Sequence, residues 1–281
     1  MSTTSSGGEL VLVATPIGNL EDLSPRAAAV LATADLVVCE DTRRTGRLLA
    51  AAGIGRRPLL AVHDHNEARS VGAVLARLRA GEVVAVVSDA GLPGISDPGE
   101  RLVRAAAAAG LAVRVVPGPS AAVAALAVSG LPTSRFAFEG FLPRRGSGRD
   151  ERLAALADER RTIVLFEAPH RLVRTLEDLV GALGPERRVA LVRELTKLHE
   201  ETWRGTLGGA MARSAEVEPR GEYVVVVEGG AEPPPAADEE LSDAVAGRLA
   251  AGLSTRDAVA EVASAFAVPK RRVYDLAIGR R

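Results

Sequence analysis

Ser88-Asp-Ala-Gly-Leu-Pro-Gly-Ile-Ser-Asp-Pro-Gly99 stands between an apolar run, Val83–Val87, and a helical pattern over Gly99–Ala109. A short β-branched run bounded by turn residues reads as a buried strand. The dodecapeptide is therefore the turn from a strand into a helix. Outward from it the same alternation recurs. Leu10–Ala14, Leu36–Cys39, Leu59–Val62 and Val113–Val116 read as strands, with helices over Pro25–Thr33, Thr42–Ala52 and Glu67–Ala80 between them. This order predicts a largely parallel sheet covered on both faces.

After Pro117 the pattern changes. A charged loop, Pro143-Arg-Arg-Gly-Ser-Gly-Arg149, precedes a helix near Glu151–Ala157. Strands are expected at Thr162–Phe166, Arg188–Arg193, Glu201–Gly205 and Tyr223–Glu228, and helices at Arg171–Ala182 and Leu207–Ser214. The fold class is thus α/β, with two α/β domains: a mostly parallel first sheet over 9–118 and a mixed second sheet over 119–228. Residues 1–8, rich in Ser, Thr and Gly, read as a disordered N-terminus. Residues 229–240, with three consecutive prolines, read as an extended linker. Residues 241–281 hold three short helical patterns, one opened by Ser254 as an N-cap.

Composition narrows the class. The chain has 281 residues, 47% hydrophobic and 25% charged, a globular balance. Net charge is −1, but it is sorted: residues 241–281 carry seven basic and four acidic side chains, while the rest nets −4. Lys197 and Lys270 are the only lysines. A single cysteine, Cys39, excludes an internal disulfide and a thiolate zinc site. The N-terminus lacks the basic and apolar regions of a signal peptide. The uninterrupted apolar stretch Ser120–Leu131 is too short for a span of about 20 residues. A soluble cytoplasmic protein is expected.

Several chemistries fail on residues. Gly53-Ile-Gly55 and Gly146-Ser-Gly148 lack the third glycine of a dinucleotide fingerprint, and neither lysine sits in a P-loop. His199-Glu200 is not followed by the second histidine of a zinc protease helix, and Ser120 lacks the glycine spacing of a nucleophile elbow. His63 and His65, with Asp64 and Glu67, read as a polar loop, since no cysteine or third histidine completes a ligand set. Trp203 and Phe166 read as core. Four turn segments remain, each after a predicted strand: Thr15–Asn19, Glu40–Arg43, Ser88–Gly99 and Pro117–Ser120. Ligands of open α/β sheets bind outside the carboxyl ends of the strands, so their convergence marks a binding crevice.

On these segments the chain closely resembles the bacterial 16S rRNA (cytidine-2′-O)-methyltransferase family, within the tetrapyrrole-methylase-like enzymes that use S-adenosylmethionine. The resemblance runs from Leu10 to Arg281. It rests on Ala14-Thr-Pro-Ile-Gly-Asn-Leu20, Glu40–Arg43, His65-Asn-Glu67, Ser88–Gly99, Pro117–Ser120, Phe166-Glu-Ala-Pro-His-Arg171 and Arg193-Glu-Leu-Thr-Lys197. It implies a donor in the cleft between two α/β domains, touching Pro16, Asp89, Ala90, Leu92, Ser120, Ala121, Phe166, Ala168 and Gly221. It also implies a homodimer, a cytidine of the decoding centre (P site) of the small ribosomal subunit as acceptor, and a C-terminal RNA-contacting module.

Ribose methylation displaces a neutral thioether, so positioning and a general base suffice without a metal. Glu40, Asp41, Glu167, Glu194 and Lys197 are the ionisable residues within motifs and the candidate catalytic groups. Lys197 can lose a proton in a desolvated site, which arginine cannot; pairing with Glu194 or Glu200 is the competing reading. Candidate RNA contacts are Arg43, Arg144, Arg145, Arg149, His170, Arg171, Lys270, Arg271 and Arg272, all of residue types that bind phosphate. A tetrapyrrole or other small-molecule methyltransferase, and a non-catalytic ribosome-associated RNA-binding protein, stay open as alternatives.

Overall fold

The computed structural model describes residues 8–63, 66–231 and 236–279. Predictions that fall on residues 1–7, Asp64, His65, the prolines of the linker, Arg280 and Arg281 lie outside the described residues.

The first sheet grows from strands that are apolar on both faces at its centre, β2 and β4 above all. In chain order its elements are β1 (Glu9–Val13), α1 (Pro25–Thr33), β2 (Leu36–Cys39), α2 (Thr42–Ala51), β3 (Leu59–Ala61), α3 (Glu67–Arg79), β4 (Val83–Val86), α4 (Glu100–Ala108) and β5 (Ala112–Val116). All its pairings are parallel, in the order β3-β2-β4-β1-β5. Every residue of β2 is buried, as a strand covered by helices on both faces must be. Local signals set the helix starts: Ser24 Oγ accepts from the Ala27 N–H with Pro25 following, and Asp41 caps α2.

The chain then crosses at Pro117–Ser120 into a second sheet. Its elements are α5 (Ala121–Ser129), β6 (Phe136–Phe141), α6 (Ser147–Ala157), β7 (Thr162–Glu167), α7 (Pro169–Leu183), β8 (Arg188–Arg193), β9 (Glu201–Thr206), α8 (Leu207–Glu216) and β10 (Tyr223–Val227). The order is β6-β7-β10-β8-β9, parallel between β6 and β7 and antiparallel elsewhere. One face packs Leu172, Leu176 and Leu179 of α7 against Ile163 and Leu165; the other packs Ala125 and Leu126 of α5 against Val164 and Val226.

Two elements were not anticipated, and one prediction needs correction. α5 is apolar all round and shows no stripe, and β6 is interrupted by a register shift between Phe138 and Gly140. The supposed loop over 143–149 ends in helix: α6 begins at Ser147 and takes in Arg149.

Both sheets belong to one compact unit that ends at Gly230; a second unit begins at Ala231. The second unit is helical: α9 (Asp238–Ala250), α10 (Thr255–Ala265) and α11 (Lys270–Ala277) bury Leu241, Val245, Val259, Val262 and Val273. Arg272 fastens it, donating to the Asp238 carboxylate at 2.6 Å and to the Ala236 carbonyl at 2.7 Å. Among the described residues, no helix is long and apolar enough to cross a membrane.

Candidate active site

The turns predicted to converge do so through backbone contacts. Thr15 and Gly91 exchange reciprocal N–H···O bonds of 2.9 and 3.1 Å, and Thr15 Oγ1 donates to the Ser88 carbonyl at 3.2 Å. Gly91 has φ +89, an angle that favours glycine, and a Cβ there would sit in ordinary contact with Ile17 and the Pro119 carbonyl. At the far end of the same loop the buried Glu67 of α3 accepts from the N–H groups of Gly99 (3.0 Å) and Arg101 (2.9 Å). Glu67 thereby satisfies donors at the start of α4 that no residue of that helix can reach.

The second sheet supplies the opposing wall. Ser96, left-handed at φ 61, rests on the bulge of β6, where a Cβ on Gly140 would lie 2.5 Å from its Oγ. Glu194 and Thr196 are also left-handed (φ 49 and 62). Non-glycine residues hold such angles, at about 1–3 kcal/mol each, only where their surroundings impose them. Here the imposition is visible: a Cβ on Gly18 would lie 2.4 Å from Lys197 Cγ, and one on Gly221 2.5 Å from the Glu194 carboxyl.

Lys197 Nζ bonds Glu194 Oε1 and Glu222 Oε2, each at 2.8 Å. Burial works to lower the Lys197 pKa, but the two carboxylates outweigh it and hold it above the usual lysine value. Glu194 is partly buried, which raises its pKa, yet Lys197 and the Glu222 N–H bring it below the usual value. Lys197 is therefore an ammonium in this arrangement, not a free base.

Between the two walls lies a cleft of about 510 Å³, within the range of small-molecule sites. Seven of the nine residues expected at the donor line it: Asp89, Ala90, Leu92, Ser120, Ala121, Phe166 and Ala168. Pro16 instead lines a neighbouring cavity of about 330 Å³. Gly221 lines neither and lies against the Glu194 side chain. Glu40, Glu167 and Lys197 line the cleft; Asp41 and Glu194 do not. Asp41 is the α2 cap, held below the usual carboxylate range first by the Arg43 and Arg44 N–H groups. Glu167 is buried and spent on the Thr175 hydroxyl, the Ala168 N–H and Arg171. Sequence reading missed Phe141, Val192, Tyr223 and Val224, which line the cleft from strands and look like ordinary core residues.

The cleft is acidic. Glu40, Asp89, Asp97, Glu167 and Glu222 face Arg44 and Lys197. Asp89 Oδ2 pairs with Arg44 Nη1 at 3.0 Å, while Oδ1 is buried with no partner among the described residues. Phe166 meets Phe138 and Phe141 edge to face at 5.1 and 5.6 Å. It is therefore both core and cleft wall, whereas Trp203 packs against the core of the second sheet.

Of the candidate RNA contacts, Arg149 is corrected. It is 3% exposed and spends its guanidinium on Asp178, Thr175 and the Pro143 carbonyl, leaving no face for a phosphate. Arg171 is tied to Glu167 and the Leu142 carbonyl, and Arg272 to Asp238. Arg43, Arg144, Arg145, His170, Lys270 and Arg271 are exposed. No cluster of three metal-ligating side chains occurs among the described residues.

Twin α/β sheets enclosing such a cleft define a class, and the comparisons name it. The pattern of the family described as Tetrapyrrole (Corrin/Porphyrin) Methylases matches residues 9–210, and that of the RsmI C-terminal HTH domain matches 235–281. The chain belongs to this methylase family, in the branch whose curated members are named ribosomal RNA small subunit methyltransferase I. The relative of that name from Synechocystis sp. is 47% identical over 96% of this chain and 98% of its own length. That from Escherichia coli O157:H7 is 45% identical over 99% and 97%. Among solved structures, uroporphyrin-III-C-methyltransferase from Thermus thermophilus is 28% identical, with a TM-score of 0.56 over 78% of this chain and 94% of its own. A structure of the Thermus enzyme complexed with S-adenyl homocysteine aligns with the same TM-score, 0.56, at 23% identity, over 79% and 97%.

Proposed function

We propose that this protein transfers a methyl group from S-adenosylmethionine to the ribose 2′-oxygen of a cytidine in the decoding centre of 16S rRNA. The observation that carries the reading is the continuous identity, across both the cleft unit and the C-terminal helices, to relatives named for small-subunit rRNA methylation. The cleft fits the donor. Its acid surplus suits a sulfonium cation, and the orphaned Asp89 Oδ1 awaits a hydrogen-bond donor. The main chain at Gly91 is open to close approach. Asp89, Ser120, Phe166, Ala168 and the Ala90–Leu92 backbone would hold it.

When bound, the donor supplies an electrophilic methyl carbon: the ribose oxygen forms the new C–O bond as the C–S pair leaves on a neutral thioether. The chain's own part is positioning, worth roughly 7–11 kcal/mol where near-attack geometry is imposed. Lys197 brings a fixed positive charge to the cleft wall, and two of its three N–H donors are already spent on Glu194 and Glu222. The remaining donor is suited to an acceptor oxygen, lowering the cost of removing its proton. Glu194 and Glu222 fix the ammonium in place, and the ribose proton passes to bulk water as the new C–O bond forms.

The same reading makes the protein a cytoplasmic homodimer. Exposed Val115, Val123, Val128 and Phe136 on β5, α5 and β6 support a second copy as their cover. The test of the reaction is labelled S-adenosylmethionine with 30S subunits from a strain lacking the activity, followed by nuclease mapping. Label on a decoding-centre ribose is expected. Donor binding without transfer to subunits would instead move the acceptor to a small molecule.

A further inference from the structure

The cleft has a neighbour of opposite character. The cavity of about 330 Å³ lies between α2 and the turn after β1, walled by Pro16, Leu20, Leu48, Arg44 and Arg47, with Thr15 and Ser88 at its base. Arg44 and Asp89 line both spaces, so their 3.0 Å ion pair is the partition between them. Charge is sorted across that partition. Apart from Glu167, which Arg171 neutralises, four carboxylates line the donor side with two cations, while Arg44 and Arg47 face Asp89 alone on the other. Within α2, Thr42–Ala51, there is no acidic residue, and Asp41 before it is consumed as the cap. The Arg47 side chain is exposed and makes no ion pair or hydrogen bond among the described residues.

We propose that this second cavity is a phosphodiester subsite for the acceptor RNA strand, in which Arg47 and Arg44 take the phosphate beside the reacting ribose. The proposal rests on the rRNA reading above and adds the place where the strand enters. A cation surplus one ion pair away from an acidic donor cleft separates the two substrates by charge, anionic strand on one side and cationic donor on the other. Two turns and a helix converge to build it: Thr15–Leu20 gives apolar walls for a ribose or base, Ser88–Asp89 the partition, and α2 the guanidinium groups. Arginine suits the task because its planar fork meets phosphate oxygens in pairs. Arg44 exchanges its bond to Asp89 for one to phosphate when the strand docks, which frees Asp89 Oδ2 for the donor side.

The test uses full-length protein carrying Arg47→Ala, Arg47→Glu or Arg47→Lys, assayed for methyl transfer to unmodified 30S subunits over a range of KCl concentrations. S-adenosylmethionine affinity is measured in parallel. KM for subunits should rise about tenfold or more in Arg47→Ala, the worth of one charged hydrogen bond, and further in Arg47→Glu, with Arg47→Lys recovering part of the loss. The slope of log(kcat/KM) against log[KCl] should fall by about 0.7 for one lost phosphate contact to a single strand. Donor affinity and melting temperature should stay at the wild-type values, as suits a side chain in solvent. Wild-type KM and salt slope in Arg47→Glu would overturn the subsite while leaving the rRNA reading intact. If the wild-type protein itself transfers nothing to subunits, or methylates a carboxylated tetrapyrrole instead, the reading and the subsite fall together.

Discussion

Lys197 is one of two lysines in a chain that otherwise uses arginine, and the carboxylates beside it decide which chemistry remains open. Glu194 and Glu222 hold it protonated, with a pKa above the usual 10.5. Its ammonium is fully present below that pH and would be lost only as pH rises through the higher value. No rising limb between pH 6 and 9 is therefore expected from Lys197 in a single-turnover pH profile. Arginine keeps the charge and cannot act as a base. Lys197→Arg should thus retain activity within about tenfold, while Lys197→Met loses about 10²–10³, as when an electrostatic donor is removed. The reverse ranking would return Lys197 to the role of base. Sequence reading reached this residue and its partner Glu194 but not Glu222, which belongs to no motif and lies 25 positions away. Arg149 shows the opposite failure. Among Arg144 and Arg145 it reads as one more solvated cation, because its partners Thr175 and Asp178 arrive from α7, 26 and 29 residues later.

At the scale of elements, the hold of α3 on α4 connects stability to binding. Glu67 leaves the start of α4 and the end of the Ser88–Gly99 loop hanging on one buried carboxylate oxygen, Oε1. Glu67→Ala should cost about 2–3 kcal/mol in urea unfolding, since it strands buried N–H donors. Glu67→Gln, which keeps an acceptor oxygen, should cost less and should recover most of the donor affinity lost by the alanine variant. Equal losses in both variants would mean that the charge matters and the cap does not. Elements were legible where burial wrote a pattern. β2 and β4 carry unbroken apolar runs because both faces are covered, whereas β5 at the sheet edge holds Arg114 and exposes Val115. α5 is apolar without a stripe, and β6 is split by Gly140, so neither announced itself. The loops of the cleft were readable because glycine and proline mark backbone angles; its strand walls, Val192 and Val224, were not, since a side chain facing a cleft looks the same in sequence as one facing a core.

The whole molecule divides its labour between two units, and each has its own assay. The 510 Å³ cleft proposed for the donor is lined wholly by residues before Gly230, while Lys270 and Arg271 are exposed on the second unit. The full chain with Lys270→Glu and Arg271→Glu together should bind S-adenosylmethionine as the wild type does, with KM for 30S subunits raised about tenfold or more and a shallower salt dependence. Unchanged KM would make this face a solvated surface. The order of strands also bears on how the chain is made. β1 is synthesised first yet lies between β4 and β5, pairing Glu9–Leu12 with Val83–Val86 and Glu9–Val13 with Ala112–Val116. While translation runs through the intervening residues, a ribbon of valine and leucine has both edges open, the kind of segment that attracts other strands. A pause in translation before Ala112 would prolong that exposure. A pause after Pro117 would let the first sheet close before any strand of the second has been made, so synonymous codon changes on either side of this turn should affect soluble yield in opposite directions.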